Sequence, residues 1–574
     1  MKKPICLLAF IVALVPGPEA QTRPSSQPTD LGVPAKDGVV VSSSDFASDI
    51  GAAILARGGT AVDAAVATAF AMAVTYPFAG NIGGGGFMIV RTGDGAATTF
   101  DYREQAPGKS TPTMYLDPKG EINRALTSAG YLAPGVPGTV RGMAQAHMRF
   151  GKLPWKDVVM PAATLARDGF VMSASLANSL NREVTGPMKP FAASVAAYGK
   201  PDGTPWKEGD RLVLGDLAKT LTAIATEGPD AFYKGWIADL IEKDMAANGG
   251  LMTKADLSAY AAKERKALRG TFLGYDIISM PPPSSGGVAL IEMLNMLEQL
   301  EIQKIPRLST EAVHLTTEVR RRGFLDRARF LGDPDFVEVP VATLISKPHA
   351  REQTASINRS RASSSAELGK DIVTTQPYES EETTHFSVVD RNGMAVSNTY
   401  TLEGGYGSHV VIPGTGFLLN NEMGDFNKKP GTTNAAGDIG TPPNVIAPGK
   451  RMLSSMTPVI VARAGKLVLV TGSPGGRTII NTSLDVVLGV TAWGLTGREA
   501  VDAPRMHHQW MPDRLSIEEE GIPAAVLQML TTMGHEVRVS GRQGDAESIW
   551  VHPNTGMIYG VVDKRSPTAK ASKR

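Results

Sequence analysis

Thr383-Thr384-His385-Phe386-Ser387-Val388-Val389-Asp390, then Arg391-Asn392-Gly393, then Met394-Ala395-Val396-Ser397-Asn398-Thr399-Tyr400-Thr401-Leu402: the reading of the chain turns on this stretch. β-Branched and aromatic residues fill both flanks, and Asn-Gly between them is a strong hairpin signal. A two-residue turn pairs Arg391 with Met394, which sets Thr384 opposite Thr401 and Thr383 opposite Leu402. Just upstream, residues 352–382 (EQTASINRSRASSSAELGKDIVTTQPYESEE) are polar, Ser-rich and short of apolar anchors, the composition of an exposed, mobile stretch. A loose segment therefore leads into a threonine at a strand edge, with the Thr401 hydroxyl close by. That arrangement suits an N-terminal threonine nucleophile. A threonine hydroxyl needs a base, and a cut before Thr383 would free an α-amine, a group that ordinarily titrates at about 7.7–8.0, to serve as one. The same residues also fit a plain hairpin.

Outward from the hairpin, the two halves of the chain differ. Before about residue 350 the pattern is helix-rich. Residues 47–73 read as alanine-rich helices broken at Gly58-Gly59, and Pro281-Pro282-Pro283-Ser284-Ser285-Gly286-Gly287 reads as a rigid loop opening a helix over 288–300. The run 81–90 is a glycine turn entering a buried strand. It is no dinucleotide fingerprint, because a strand follows it rather than a helix. The C-terminal part is strand-rich, with further strands over 466–471 and 558–562. Together these predict sheets with helices packed on them.

Of 574 residues, 42 % are hydrophobic and 20 % charged, enough apolar material for a large core. Lys+Arg 58 against Asp+Glu 57 gives a net charge of +1, so no global field points to nucleic acid or an anionic membrane. Lys2-Lys3, the apolar run from Ile5 to Val15 and then Pro16-Gly17-Pro18-Glu19-Ala20 have the layout of a secretory signal over residues 1–20. This places the protein in the periplasm or outside the cell. Cys6, the only cysteine, lies in that segment, which excludes a cysteine nucleophile and Cys-ligated metal from the mature chain. His507-His508 point to opposite faces of a strand and lack the spacing of a zinc enzyme. Ser473 lacks the G-x-S-x-G spacing of a nucleophile elbow.

The stretch 383–390 resembles the start of the small subunit of γ-glutamyltranspeptidases. Further matching motifs follow in the family's order: 419–426 (LNNEMGDF), 453–458 (LSSMTP), 471–476 (TGSPGG) and 505–510 (RMHHQW). Earlier in the chain, 81–87, 101–104 (DYRE), 134–138 (PGVPG), 281–287 and 331–336 (LGDPDF) match too, so the resemblance spans roughly 37–566. It implies a four-layer αββα sandwich of the N-terminal-nucleophile hydrolase type, of α/β (α+β) class. It also implies a large fragment, 21–382, and a small one, 383–574, intertwined as a heterodimer of one chain's own pieces.

By the same resemblance Thr383 is the nucleophile for self-cleavage and for catalysis, Thr401 its supporting hydroxyl, and Gly475 and Gly476 donors to the oxyanion. The implied donor is glutathione or another γ-glutamyl amide, and water or an amino acid or peptide is the acceptor, with no cofactor and no metal. A γ-glutamyl group carries a free α-carboxylate and a free α-ammonium. Arg103, Ser454 and Ser455 are assigned to the first, and Glu422, Asp425 and Glu403 to the second. In many bacterial relatives the loop after the LNNEMGDF motif carries a gating aromatic, and the position aligned with it here is Ala436. Near the C-terminus Asp563-Lys564-Arg565-Ser566 departs from the family's Asp-Pro-Arg-Ser. Two other readings stand beside this one: an acylase for glutaryl or cephalosporin-type amides, and an uncleaved periplasmic binding protein.

Overall fold

A computed structural model describes residues 30–372, 383–433, 439–519 and 521–574. The signal-like residues 1–20, the end of the 352–382 stretch and Ala436 lie outside the described residues.

The hairpin is the middle of the molecule. Strands Thr384–Asp390 and Ala395–Thr401 are buried at every position. They pair antiparallel in a seven-stranded sheet, flanked by Gly38–Ser42 on one side and Gly85–Arg91 on the other. Burial on both faces follows from what each face meets. Phe386, Val388, Val396 and Tyr400 pack on the alanine-rich helices Asp45–Ala56 and Ala61–Thr75. Val389 and Ala395 face Ile278, Ile460, Val470 and Ile549 of a second seven-stranded sheet. The period-two alternation of strand side chains thus supplies two cores from one strand. The outer face of the second sheet carries helices Gly286–Gln299, Thr310–Phe330 and Thr478–Thr491. The layers are helix, sheet, sheet, helix, as expected.

Both sheets mix strands from before and after residue 383. The first holds Gly38–Ser42, Gly85–Arg91, Ala97–Asp101 and Lys263–Lys266 beside the hairpin and Lys570–Lys573. The second joins Val33–Ala35, Leu268–Phe272 and Tyr275–Ser279 to four strands from the C-terminal part.

One expectation is corrected. The hairpin register is one residue off: Thr384 pairs with Tyr400, so Thr383 rather than Thr384 comes opposite Thr401. The cause is the turn. Asp390 accepts the Asn392 and Met394 N–H groups at 2.8 and 3.1 Å, and only Gly393 takes a left-handed φ, 77°, so Asp390 rather than Arg391 closes against Met394. The stretch 352–372 is largely exposed, as read, but it is anchored to the fold. Helix Lys347–Ala355 runs into it and a short helix, Ser365–Leu368, lies within it. Arg322 of the helix Thr310–Phe330 donates to Ser356 Oγ at 2.9 Å, Arg321 donates to Ser365 Oγ at 2.7 Å, and Glu318 accepts from Ser363. Buried arginines need partners, and the serines of this stretch provide them.

Candidate active site

Thr383, immediately before the central strand, is 5 % exposed, and its partner in register is Thr401. Both line a cleft enclosing about 340 Å³ of open space, together with Arg103, Glu403, Glu422, Asp425, Ser454, Ser455, Gly476 and, unforeseen from sequence, Met456, Arg477 and Ile479. Gly475 stands one residue behind this wall. All ten residues singled out by sequence therefore converge here, from positions more than 370 apart in the chain.

Each wall has a local cause. Asn81 donates to the Thr401 carbonyl at 2.8 Å and accepts from Gly84 N–H at 2.9 Å, which fixes the strand end. A Cβ on Gly84 would lie 2.0 Å from that carbonyl, so the glycine run is a close approach of backbones. Thr401 Oγ1 accepts the Glu403 N–H at 2.8 Å. Glu403 itself sits at φ 78°, a left-handed strain that turns its carboxylate onto the cleft. Gly475 and Gly476 have φ 126° and 53° and lead directly into the helix Thr478–Thr491, whose first hydroxyl bonds the Gly475 carbonyl at 2.7 Å. A glycine pair at a helix N-terminus presents backbone N–H groups without side-chain obstruction.

Sequence assigned Arg103 to a carboxylate and the acids to an ammonium; in the structure they are joined to one another. Arg103 Nη1 donates to Glu422 and Nη2 to Asp425, while Nε reaches the Met452 carbonyl at 3.3 Å. Glu104 lies 3.6 Å from the same guanidinium. Burial pushes Glu104 up to about 7, and burial with its acidic neighbours holds Glu422 well above the usual carboxylate range. Burial works against the Arg103 cation, but Glu422, Asp425 and Glu104 more than offset it. Both signs of charge thus stand on one cleft wall, and a ligand with its own ammonium and carboxylate can exchange into the cluster with each charge still paired.

Next to this wall, where Arg103 also reaches the Leu453 carbonyl at 3.4 Å, the loop 453–456 is bolted to the loop 281–285. Ser285 donates through Oγ and N–H to the Ser454 carbonyl at 2.6 and 2.7 Å. Arg327 donates to Ser285 Oγ at 2.8 Å and to Ser455 Oγ at 3.0 Å. Arg327 and Arg477 escaped the sequence reading. The one signal for Arg477 is its place directly after the glycine pair, and for Arg327 its place four residues before the LGDPDF run.

His507 and His508 are buried and take separate partners, Asn481 with Gln509 and Asp513, as a structural role requires. Burial pushes them down to about 3 and about 4. Among the described residues two other groups bring ligand-type side chains together away from the cleft. In Glu292/Asp326/His349 the imidazole is bonded to Asp326 at 2.7 Å, and in His314/Glu318/His535 the carboxylate is bonded to Arg322 at 2.7 Å.

Comparison with known proteins places this geometry in a family. A family model described as gamma-glutamyltranspeptidase matches residues 47–572. The chain is 44 % identical over 568 residues to the glutathione hydrolase proenzyme of Escherichia coli, covering 97 % of each. It is 39 % identical over 532 residues to the Acylase ACY 1 proenzyme of a Pseudomonas species, covering 91 % of each. Among solved structures, a cephalosporin acylase from Bacillus halodurans superposes with a TM-score of 0.82 at 25 % identity, over 97 % of this chain and 99 % of that one.

Proposed function

The chain belongs to the γ-glutamyltranspeptidase family, and from that premise we propose that it cuts itself before Thr383 and uses the freed threonine to open γ-glutamyl amides. It is an N-terminal-nucleophile enzyme, a γ-glutamyltransferase and glutathione hydrolase made as a proenzyme. The fragments are 21–382 and 383–574. Glutathione is the natural donor, and water or an amino acid or peptide the acceptor. Residues 1–20 direct export to the periplasm or medium. Among the described residues no helix is long and apolar enough to cross a membrane.

In this mechanism Thr383 Oγ attacks the γ-amide carbonyl while its own α-amine takes the hydroxyl proton. The oxyanion is met by the Gly475 and Gly476 N–H groups. The α-ammonium then passes a proton to the leaving amine, and acceptor attack on the acyl-threonine regenerates the enzyme. Ser454, Ser455 and Arg103 hold the donor's carboxylate, and Asp425, Glu422 and Glu403 its ammonium. One observation carries this reading: the threonine faces a second threonine at a cleft whose wall is a cluster of one arginine and three carboxylates.

Intact-mass spectrometry of the mature protein tests it. Two fragments, the smaller beginning at Thr383, are expected, with loss of both cleavage and γ-glutamyl-p-nitroanilide turnover in Thr383→Ala. A single unbroken wild-type chain would move the weight to the binding-protein reading. The likeness to acylases favours, as a second reading, a glutaryl or cephalosporin-type substrate. Because a glutaryl group has no ammonium to pair with Glu422 and Asp425, a preference for glutaryl-p-nitroanilide over the γ-glutamyl donor is the result that would select it.

A further inference from the structure

Ser455 can accept or donate a hydrogen bond, and to hold an anion it must donate. Its orientation is therefore part of the site, and the structure shows what fixes it. Arg327 Nη2 lies 3.0 Å from Ser455 Oγ while Nε lies 2.8 Å from Ser285 Oγ, and the arginine is only 7 % exposed. Arginine has donors and no acceptor, and stays protonated at any working pH. Against such a neighbour the Ser455 oxygen must present a lone pair, and its own proton must point elsewhere. Ser455 also lines the cleft, so that proton is available to a ligand there. Ser454 is polarised in the same sense by a different group: its Oγ accepts the Met456 N–H at 3.1 Å. Ser285 completes the frame. It takes the Nε–H of Arg327 and passes its own proton to the Ser454 carbonyl at 2.6 Å, so one guanidinium sets both the hydroxyl direction of Ser455 and the seat of the loop that bears it.

We propose that Arg327, on the helix Thr310–Phe330, is the positioning residue that makes Ser455 an obligate hydrogen-bond donor, and so gives the site its demand for a carboxylate next to the reacting chain of the donor. This rests on the γ-glutamyl reading above. Arg327 acts through Ser455 and bears on carboxylate recognition rather than on the acyl-transfer step.

The test compares two donors, γ-glutamyl-p-nitroanilide and 4-aminobutanoyl-p-nitroanilide, which is the same amide without the α-carboxylate. Arg327→Met is expected to raise KM for the first about 10- to 100-fold, the worth of one hydrogen bond to a charged group, with little change in kcat. It should leave kcat/KM for the second donor where it was. Arg327→Lys, which still only donates, should stay close to wild type. Ser455→Ala should match Arg327→Met, and the double variant should be no worse than either. Should Arg327→Met fail to process, Arg327→Gln, which keeps the bulk but can accept, carries the same comparison. Equal losses on both donors, a lysine variant as poor as the methionine one, or single effects that multiply in the double variant would each overturn the proposal. A wild type inactive on the γ-glutamyl donor would instead sink the reading of function, which the donor comparison keeps separate.

Discussion

Asp425→Asn removes one negative charge from the cleft wall and almost nothing else. The side chain is 22 % exposed, against 0 % for Arg103 and 1 % for Glu422, so it is the member of the cluster that a ligand meets first. Asparagine keeps the shape and an oxygen for Arg103 Nη2, and Glu422 stays bonded to the same guanidinium, so the arginine is not left bare. What is lost is attraction for an ammonium. At about 4 Å and an effective dielectric of about 20 that attraction is about 4 kcal/mol. Partial solvent access and the ordering of both groups reduce it toward the 1.5–3 kcal/mol typical of hydrogen bonds to charged groups, or about 10- to 150-fold in binding. Steady-state kinetics on γ-glutamyl- and glutaryl-p-nitroanilide reads the effect. The first donor should lose that factor in kcat/KM, mostly through KM, and the second, which has no ammonium, should hold or improve. Equal losses on the two donors would refute the assignment, because a general distortion of the cleft does not distinguish them.

Three further outcomes follow from the same geometry. Thr401→Val leaves the Glu403 N–H without its 2.8 Å acceptor and Thr383 without its facing hydroxyl, and should lower kcat by about 10²- to 10³-fold in stopped or continuous anilide assays while the sheet stays folded. Gly475→Ala puts a Cβ 2.3 Å from Thr478 Oγ1 at a φ of 126°, so the donor loop must shift; a loss of about 10²- to 10³-fold in kcat with a lowered thermal midpoint is expected, and an unchanged kcat would remove Gly475 from the oxyanion site. His385, fully buried between the sheets, is pushed down to about 3 by burial. A lowered histidine gives stability that is present above the unfolded value of about 6.5 and lost as pH falls toward 3. The stability of wild type over His385→Asn should therefore shrink by about 1.4 kcal/mol per pH unit below pH 6.5 in urea titrations, and a difference independent of pH would contradict the buried neutral imidazole.

That helices pack on sheets was legible from the strand-like and alanine-rich runs, while the four-layer order came only with the family resemblance. β-Branched and aromatic residues along 384–390 and 395–401 and the alanine-rich run 61–75 become elements buried at every position. The register was not legible to the residue. Asn-Gly fits a two-residue turn, and only the Asp390 side chain, which takes two N–H groups across the loop, decides for three. What anchors the largely exposed stretch 352–372 was hidden for a related reason. Its serines look like solvent-seeking residues until one sees that Arg321 and Arg322, on a helix buried over most of its length, have to be satisfied there. Composition reports a segment's own preferences and says nothing of a distant helix's unmet donors. In the site, residues carried by glycine and serine motifs were found, while Arg327 was not, because its part in the cleft depends wholly on the loop 453–456 folding back onto Ser285.

The interleaving of strands bears on how one threonine could serve first as a cut site and then as a catalyst. A cut before Thr383 would leave its α-amine one residue ahead of a strand hydrogen-bonded on both sides, to Ala395–Thr401 and to Gly38–Ser42. Those neighbours come from opposite sides of the cut, so neither fragment could leave without tearing a central ladder. The ladder would hold the new terminus, and the amine and hydroxyl of one residue would stay within reach of each other and of Thr401. Holding reacting groups in place in this way can be worth about 7–11 kcal/mol of a barrier. The charged wall would be equally little disturbed, since Arg103 lies before the cut and Glu422 and Asp425 after it, bonded across the two pieces. The ion cluster proposed to receive the donor would thus also be a clasp between the fragments, and a ligand exchanging into it would replace each charge contact it displaced.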